Sequence, residues 1–186
     1  HLLRGNRTTK QSAEEFNAFE SFNYPHLVDA GVNITYHTER MLKPDWDKPM
    51  KPHFRLDNNV IIFSLFPGIR EDLVRHIIAT PNLKSIVMRT FGSGNAPQRP
   101  WVLHALKEAT KNGKVVINIS QCMQGTVEMG RYDTGYQLKE AGVISGYDAT
   151  VESAVTKLMF LQSHYKDPEQ VRELMRQSIR GEITDN

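Results

Sequence analysis

Three short apolar runs separated by two amphipathic stretches limit what this chain can fold into. Val60-Ile61-Ile62-Phe63-Ser64-Leu65-Phe66 ends at Pro67-Gly68, Ser85-Ile86-Val87-Met88 follows Pro81-Asn82, and Val115-Val116-Ile117-Asn118-Ile119 follows Asn112-Gly113. The first run has the continuity of a strand buried on both faces of a parallel sheet, and the other two read as further strands. Leu73, Val74, Ile77 and Ile78 recur at helical spacing between the first two runs, and Val102, Leu103, Leu106 and Ala109 between the second two. Pro81-Asn82 stops the first of these helices and Asn112-Gly113 caps the second. Strand, helix, strand, helix, strand is the order of right-handed crossovers, so the expected class is α/β: a small, Rossmann-like parallel sheet with helices on both faces. Further helices are expected over 134–141, 150–165 and 168–178, the last opened by Asp167-Pro168.

Upstream, residues 8–22 are polar with Phe16, Phe19 and Phe22 as punctuation, followed by Asn23-Tyr24-Pro25. This reads as a linker anchored by its rings, dividing the chain into 1–22, the end of a larger α/β domain, and 23–186, a second domain. Val32, Ile34 and Tyr36 alternate with the period of a half-buried strand. Between Lys43 and Pro52 lie three prolines and several charges, the composition of a surface loop.

A formal charge of +2 with Lys and Arg scattered among Asp and Glu gives no nucleic-acid footprint. No apolar run approaches the roughly 20 residues needed to span a bilayer, so no membrane partner is expected. The single cysteine, Cys122, excludes an internal disulfide and fits a reducing, cytoplasmic compartment. The opening His1-Leu2-Leu3-Arg4 has neither an initiating Met nor the layout of a signal peptide, and reads as part of something longer. Seven dispersed histidines without His-Glu-x-x-His or Cys-x-x-Cys spacing point to no metal site, and no cofactor motif is present.

Ligands of parallel sheets bind at the carboxyl ends of the strands, which selects the segments after each run. Gly92 and Gly94 flank Ser93 and lead to Asn95, whose amide serves either as a turn cap or as a ligand contact. Arg89 ends an otherwise apolar strand, so its guanidinium pairs with a buried carboxylate or faces a ligand carboxylate. Cys122 has no histidine near it in sequence and reads more readily as an inert buried thiol than as a nucleophile. Lys10, in Thr8-Thr9-Lys10, is either a solvated surface residue or, desolvated beside a carboxylate, a proton-transfer group.

Four segments in order, Arg4-Gly5-Asn6-Arg7-Thr8-Thr9-Lys10, Phe91-Gly92-Ser93-Gly94-Asn95-Ala96-Pro97, Ser120-Gln121-Cys122-Met123-Gln124-Gly125 and Tyr147-Asp148-Ala149-Thr150-Val151-Glu152, resemble the type I, cytosolic L-asparaginases. The resemblance spans essentially the whole chain and implies the end of that family's amino-terminal domain plus its carboxy-terminal domain. It further implies hydrolysis of L-asparagine to L-aspartate and ammonia by a threonine nucleophile, without a cofactor, in a homodimer or homotetramer. Lys10 matches the lysine of the family's proton-relay triad. Asn95 matches an asparagine lent to a neighbouring protomer's active site. Arg89, Ser120, Gln121, Cys122 and Asp148 are the candidates for a regulatory asparagine site, with Arg89 on the ligand carboxylate and Asp148 on its ammonium. Neither family threonine motif occurs in these 186 residues, so the nucleophile is expected outside them and this piece alone is expected to be inactive. Two other readings stay open: the asparaginase-like subunit of the amidotransferase acting on Glu-tRNA, and a non-catalytic amino-acid-binding or dimerisation module.

Overall fold

The first 40 residues form two small antiparallel pairs in the computed structural model, which describes residues 1–130 and 133–184. Strand β1 (Thr9–Lys10) pairs with β2 (Phe19–Glu20), and β3 (Val28–Ala30) with β4 (Ile34–Tyr36). After an exposed loop through the proline-rich stretch comes a parallel sheet of four strands: β5 (Val60–Ser64), β6 (Ser85–Thr90), β7 (Val115–Ser120) and β8 (Ile144–Ser145). Their spatial order is their chain order.

The connections are α1 (Glu71–Ile78), α2 (Pro100–Lys111) and α3 (Asp133–Glu140). Each crossover steps one strand further in the same direction, so a constant right hand puts all three helices on one face. The other face is covered by α4 (Val151–His164) and α5 (Pro168–Met175), which follow the last strand. Helices lie on both faces, as expected for the α/β class, and among the described strands the order runs in one direction without reversing.

Alternation along the strands divides the core in two. Ile86, Met88 and Val116 pack with Val74, Leu106 and Leu138 on one side. Val87, Ile117 and Ile119 pack with Leu158, Leu161 and Val171 on the other. Leu106 and Leu158 are completely buried, and truncating either to Ala costs about 2–5 kcal/mol. Helix ends follow local chemistry. Pro100 opens α2, where its missing N–H is no loss, and Gly113 (φ 79°) follows its end. Thr150 caps α4 by accepting from the Ser153 amide at 3.1 Å, and Asp167 caps α5 by accepting from Glu169 at 3.0 Å.

Several expectations change. Among the described residues the run at Val60 is an edge strand: Phe63 and Leu65 are buried but Ile62, on the opposite face, is 44% exposed, so the run is not covered on both faces. The alternation at Val32, Ile34 and Tyr36 does not mark a half-buried strand. All three side chains are exposed, and only Val28, which pairs with Tyr36 and is bridged to Leu2, is buried among the apolar residues of this hairpin. Strand β8 carries only two residues, too few for a periodic signal.

Of the rings of the upstream segment, Phe16 and Phe19 are exposed and anchor nothing, whereas Phe22 and Tyr24 are half-buried. Two cations anchor the segment. The Arg4 guanidinium sits 4.0 Å from the Tyr24 ring centroid and donates to Tyr24 Oη at 2.8 Å and Gly181 O at 3.2 Å. Arg7 is buried against Asp148. On the far side of α4, Lys157 Nζ pairs with Glu182 Oε1 at 2.6 Å, tying the last segment to that helix.

Candidate functional site

A cavity of about 470 Å³ opens where β6 and β7 end, beneath the amino terminus of α4 and beside β1. Arg89, Ile119 and Ser120 reach it from the strand ends. Thr9, Lys10, Phe22 and Asn23 come from the upstream segment, and Ala149, Thr150, Val151, Glu152 and Val155 from the start of α4. The β6–β7 register pairs Arg89 with Ile119, which sets these two side chains level in the cavity lining.

Its electrostatics favour an anionic group balanced by one carboxylate. Among the described residues the Arg89 side chain makes no hydrogen bond or ion pair, and its Nε is buried without a partner. A buried donor left unmatched calls for an acceptor from elsewhere. Lys10 reaches the same cavity, its Nζ 5.9 Å from the Phe19 ring centroid. The amino terminus of α4 adds partial positive charge. Against these stands Glu152, whose Oε2 accepts from Thr9 Oγ1 at 3.1 Å. Three cations line this space, Arg7, Lys10 and Arg89, and Asp148 neutralises the first; the other two, with a helix terminus and the single carboxylate Glu152, suit a zwitterion carrying a carboxylate and an ammonium.

The remaining sequence-derived candidates fall into different places. Ser120 is buried, its hydroxyl donating to Gly92 O at 2.6 Å and accepting from the Cys122 amide at 2.9 Å, so it joins the two polar loops. Cys122 is exposed on the cavity rim and is not the buried thiol expected. Gln121 does not line the cavity. Its Nε2 donates to Leu65 O at 2.6 Å and Arg89 O at 3.0 Å, fastening the ends of three neighbouring strands. Asp148 lies behind the cavity wall, accepting from Arg7 Nη1 at 3.1 Å, Arg7 Nη2 at 2.5 Å and the Thr184 amide at 3.0 Å. Burial alone raises the Asp148 carboxyl, but hydrogen bonds from Arg7 and Thr184 outweigh it and hold the group below its ordinary value. With its oxygens so engaged, Asp148 fixes Arg7 and does not line this cavity; Glu152 is the carboxylate that does.

Asn95 is half-buried in the turn after β6, not in the cavity. Its amide donates to Phe91 O at 2.8 Å and its carbonyl accepts from Phe91 N at 2.9 Å. That turn rests on Asn118, a residue the sequence reading passed over inside an apolar strand. Asn118 is fully buried, donates to Gly94 O at 2.9 Å and accepts from Thr90 Oγ1 at 2.5 Å. Tyr147, on the cavity wall, holds a left-handed φ of 54°, unusual for a bulky residue, steadied by its amide donating to Ser145 Oγ at 3.0 Å. Arg7, Glu152 and Asn118 were detectable only as polar residues in or beside motifs; none has a spacing that announces its role.

Residues 59–175 match the family described as the glutaminase/asparaginase C-terminal domain. L-asparaginase 1 of Escherichia coli K12 is 43% identical over 183 residues, 98% of this chain and 54% of the relative. The human 60 kDa lysophospholipase is 41% identical over 184 residues, 98% of this chain and 32% of the relative. The crystal structure of L-asparaginase I from Vibrio cholerae superposes with a TM-score of 0.90 at 40% identity, over 98% of this chain and 55% of that one. The chain thus spans about half the length of the bacterial relative it matches. Among the described residues no helix is long and apolar enough to cross a membrane.

Proposed function

The chain belongs to the glutaminase/asparaginase family through its C-terminal domain, and from that premise we propose that it is part of an L-asparaginase, hydrolysing L-asparagine to L-aspartate and ammonia in the cytoplasm. The observation that carries this reading is the cavity at the strand ends, which Lys10, Glu152 and Arg89, without a side-chain partner among the described residues, all line. A site of that charge pattern fits an amino acid, and 43% identity to L-asparaginase 1 supports asparagine as that amino acid.

In this reading a threonine hydroxyl from the half of the enzyme not spanned here attacks the side-chain amide carbon. Ammonia leaves, and water hydrolyses the resulting ester to release aspartate. Lys10 is the member of the relay contributed by this chain, a cation that favours loss of the hydroxyl proton through an aspartate beyond these residues. Asn95, outside the cavity and on a rigid turn, is proposed to serve the active site of a neighbouring protomer in a homodimer or homotetramer. Arg89, Ser120 and Cys122 form a second, regulatory asparagine site, with Arg89 on the carboxylate; Glu152 takes the ammonium in place of Asp148.

The test is ammonia release from asparagine by the full-length gene product. Lys10→Met is expected to lower kcat about 100-fold or more while leaving the melting temperature unchanged. Undiminished turnover in that variant removes Lys10 from the relay. The 186-residue piece alone is expected to release no ammonia.

A further inference from the structure

The seven histidines look dispersed along the chain, yet the fold gathers three of them around one carboxylate. We propose that the β3–β4 hairpin carries a site for a borderline divalent metal ion, Zn²⁺ by preference, with His1, His26 and Asp29 as its protein ligands. Backbone pairing assembles them. Leu2 and Val28 form a bridge, the Leu2 amide donating to Val28 O and the Leu27 amide to Leu2 O, each at 2.8 Å, which lays His1 alongside the entry to β3. Asp29 pairs with Thr35 across the hairpin, and the His37 amide donates to Leu27 O at 2.9 Å, bringing His37 back to the same point.

The donor atoms converge as a metal requires. Nδ1 of His1 and Nδ1 of His26 both approach Asp29 Oδ1, the latter at 3.0 Å, and the donor atoms of the three residues all lie within 4.8 Å of one another. Ligands bound tetrahedrally to zinc at about 2.0–2.2 Å stand roughly 3.3 Å apart, so small side-chain adjustments accommodate the ion. The stacked rings of His1 and His26, with centroids 3.9 Å apart, present their nitrogens to the same side.

An outer layer is also present. His37 Nε2 contacts the other oxygen of Asp29, Oδ2, at 3.0 Å, and Glu20 Oε1 lies 3.8 Å from the far nitrogen of His26. A histidine that binds metal through one nitrogen and faces a carboxylate with the other is the usual support of such sites. Side-chain exposures from 23% at His37 to 57% at His1 leave room for water to complete the coordination. Two imidazoles and one carboxylate suit zinc and its neighbours, whereas Mg²⁺ and Ca²⁺ prefer oxygen donors. None of these residues lines the 470 Å³ cavity, so the ion fastens the first residues to the hairpin and takes no part in chemistry there.

The metal-stripped full-length protein titrated with ZnCl₂ by calorimetry is expected to bind one equivalent per protomer at this site, to melt at a higher temperature when loaded, and to show no heat with MgCl₂. Asp29→Ala and His26→Ala should abolish binding, and His37→Ala should weaken it about 10- to 100-fold, each with an unchanged far-ultraviolet circular dichroism spectrum. Absence of stoichiometric zinc binding by the unsubstituted chain overturns the proposal. So does undiminished binding in the folded Asp29→Ala or His26→Ala chain, which would move the ion to the other imidazole pair, His53 and His164, whose nitrogens are 3.0 Å apart.

Discussion

Arg7 and Asp148, 141 positions apart in sequence, meet in a two-pronged ion pair with side-chain exposures of only 1% and 9%. Arg7 Nη2 also donates to Asn23 O at 3.0 Å and to Thr184 Oγ1 at 3.2 Å, so one guanidinium joins the upstream segment, the start of α4 and the end of the described chain. The pair forms the wall behind the candidate cavity.

Removing one partner of a buried pair leaves an uncompensated charge, which is far worse than removing both. Arg7→Met is therefore expected to destabilise the fold by about 3–5 kcal/mol in urea denaturation, and the double variant Arg7→Met/Asp148→Leu by clearly less. Equal losses in the two would mean that the charge on Asp148 is not what Arg7 neutralises.

The same pair sets the response to acid. Burial works to raise the Asp148 and Glu182 carboxyls, but hydrogen bonds from Arg7 and Thr184 in the first case, and from Lys157 and backbone amides in the second, leave both below their ordinary values of 3.8 and 4.5. A carboxyl depressed in the folded state adds stability that is fully present above its unfolded value and is lost as pH falls through the folded one. Urea midpoints should hold steady above about pH 5 as far as these two groups are concerned, then fall as pH drops below 4.5 and 3.8. Asp148→Asn should flatten the lower part of that decline; a slope identical to the parent chain would contradict the assignment.

At Gly94 the backbone has φ 109°, and a Cβ would stand 2.7 Å from Val127 Cγ1 and 3.1 Å from Asn118 Nδ2. Gly94→Ala combines a conformation that L side chains avoid with overpacking, each costing about 1–3 kcal/mol. Adding Val127→Ala removes the nearer clash but not the backbone strain, so thermal melts should show partial recovery only. Full recovery would mean that backbone conformation contributes nothing.

Arg89 has no side-chain partner to lose among the described residues, so Arg89→Ala should change stability by no more than about 0.5 kcal/mol. In the full-length protein it should lower asparagine affinity at the proposed regulatory site about 10-fold or more, because a charge-assisted hydrogen bond disappears. The saturation curve is the readout, and cooperativity equal to that of the unsubstituted enzyme would remove Arg89 from the site.

What the sequence by itself determined was the sheet and its near connections. The runs at Ser85 and Val115 became fully paired strands, and Pro100, Gly113, Thr150 and Asp167 stand at helix ends, because periodicity and capping act over a few residues. It also marked Lys10, Arg89, Ser120 and Cys122, which the fold brings to one cavity. The tertiary structure alone decided that Asp148 answers Arg7 while Glu152 faces the cavity, that Gln121 is a latch between strand ends, and that the run at Val60 lies at an edge. It alone drew His1, His26 and His37 around Asp29. Each of these depends on which distant groups become neighbours once the sheet is layered, and a polar side chain carries no local pattern that names its partner across more than a hundred residues.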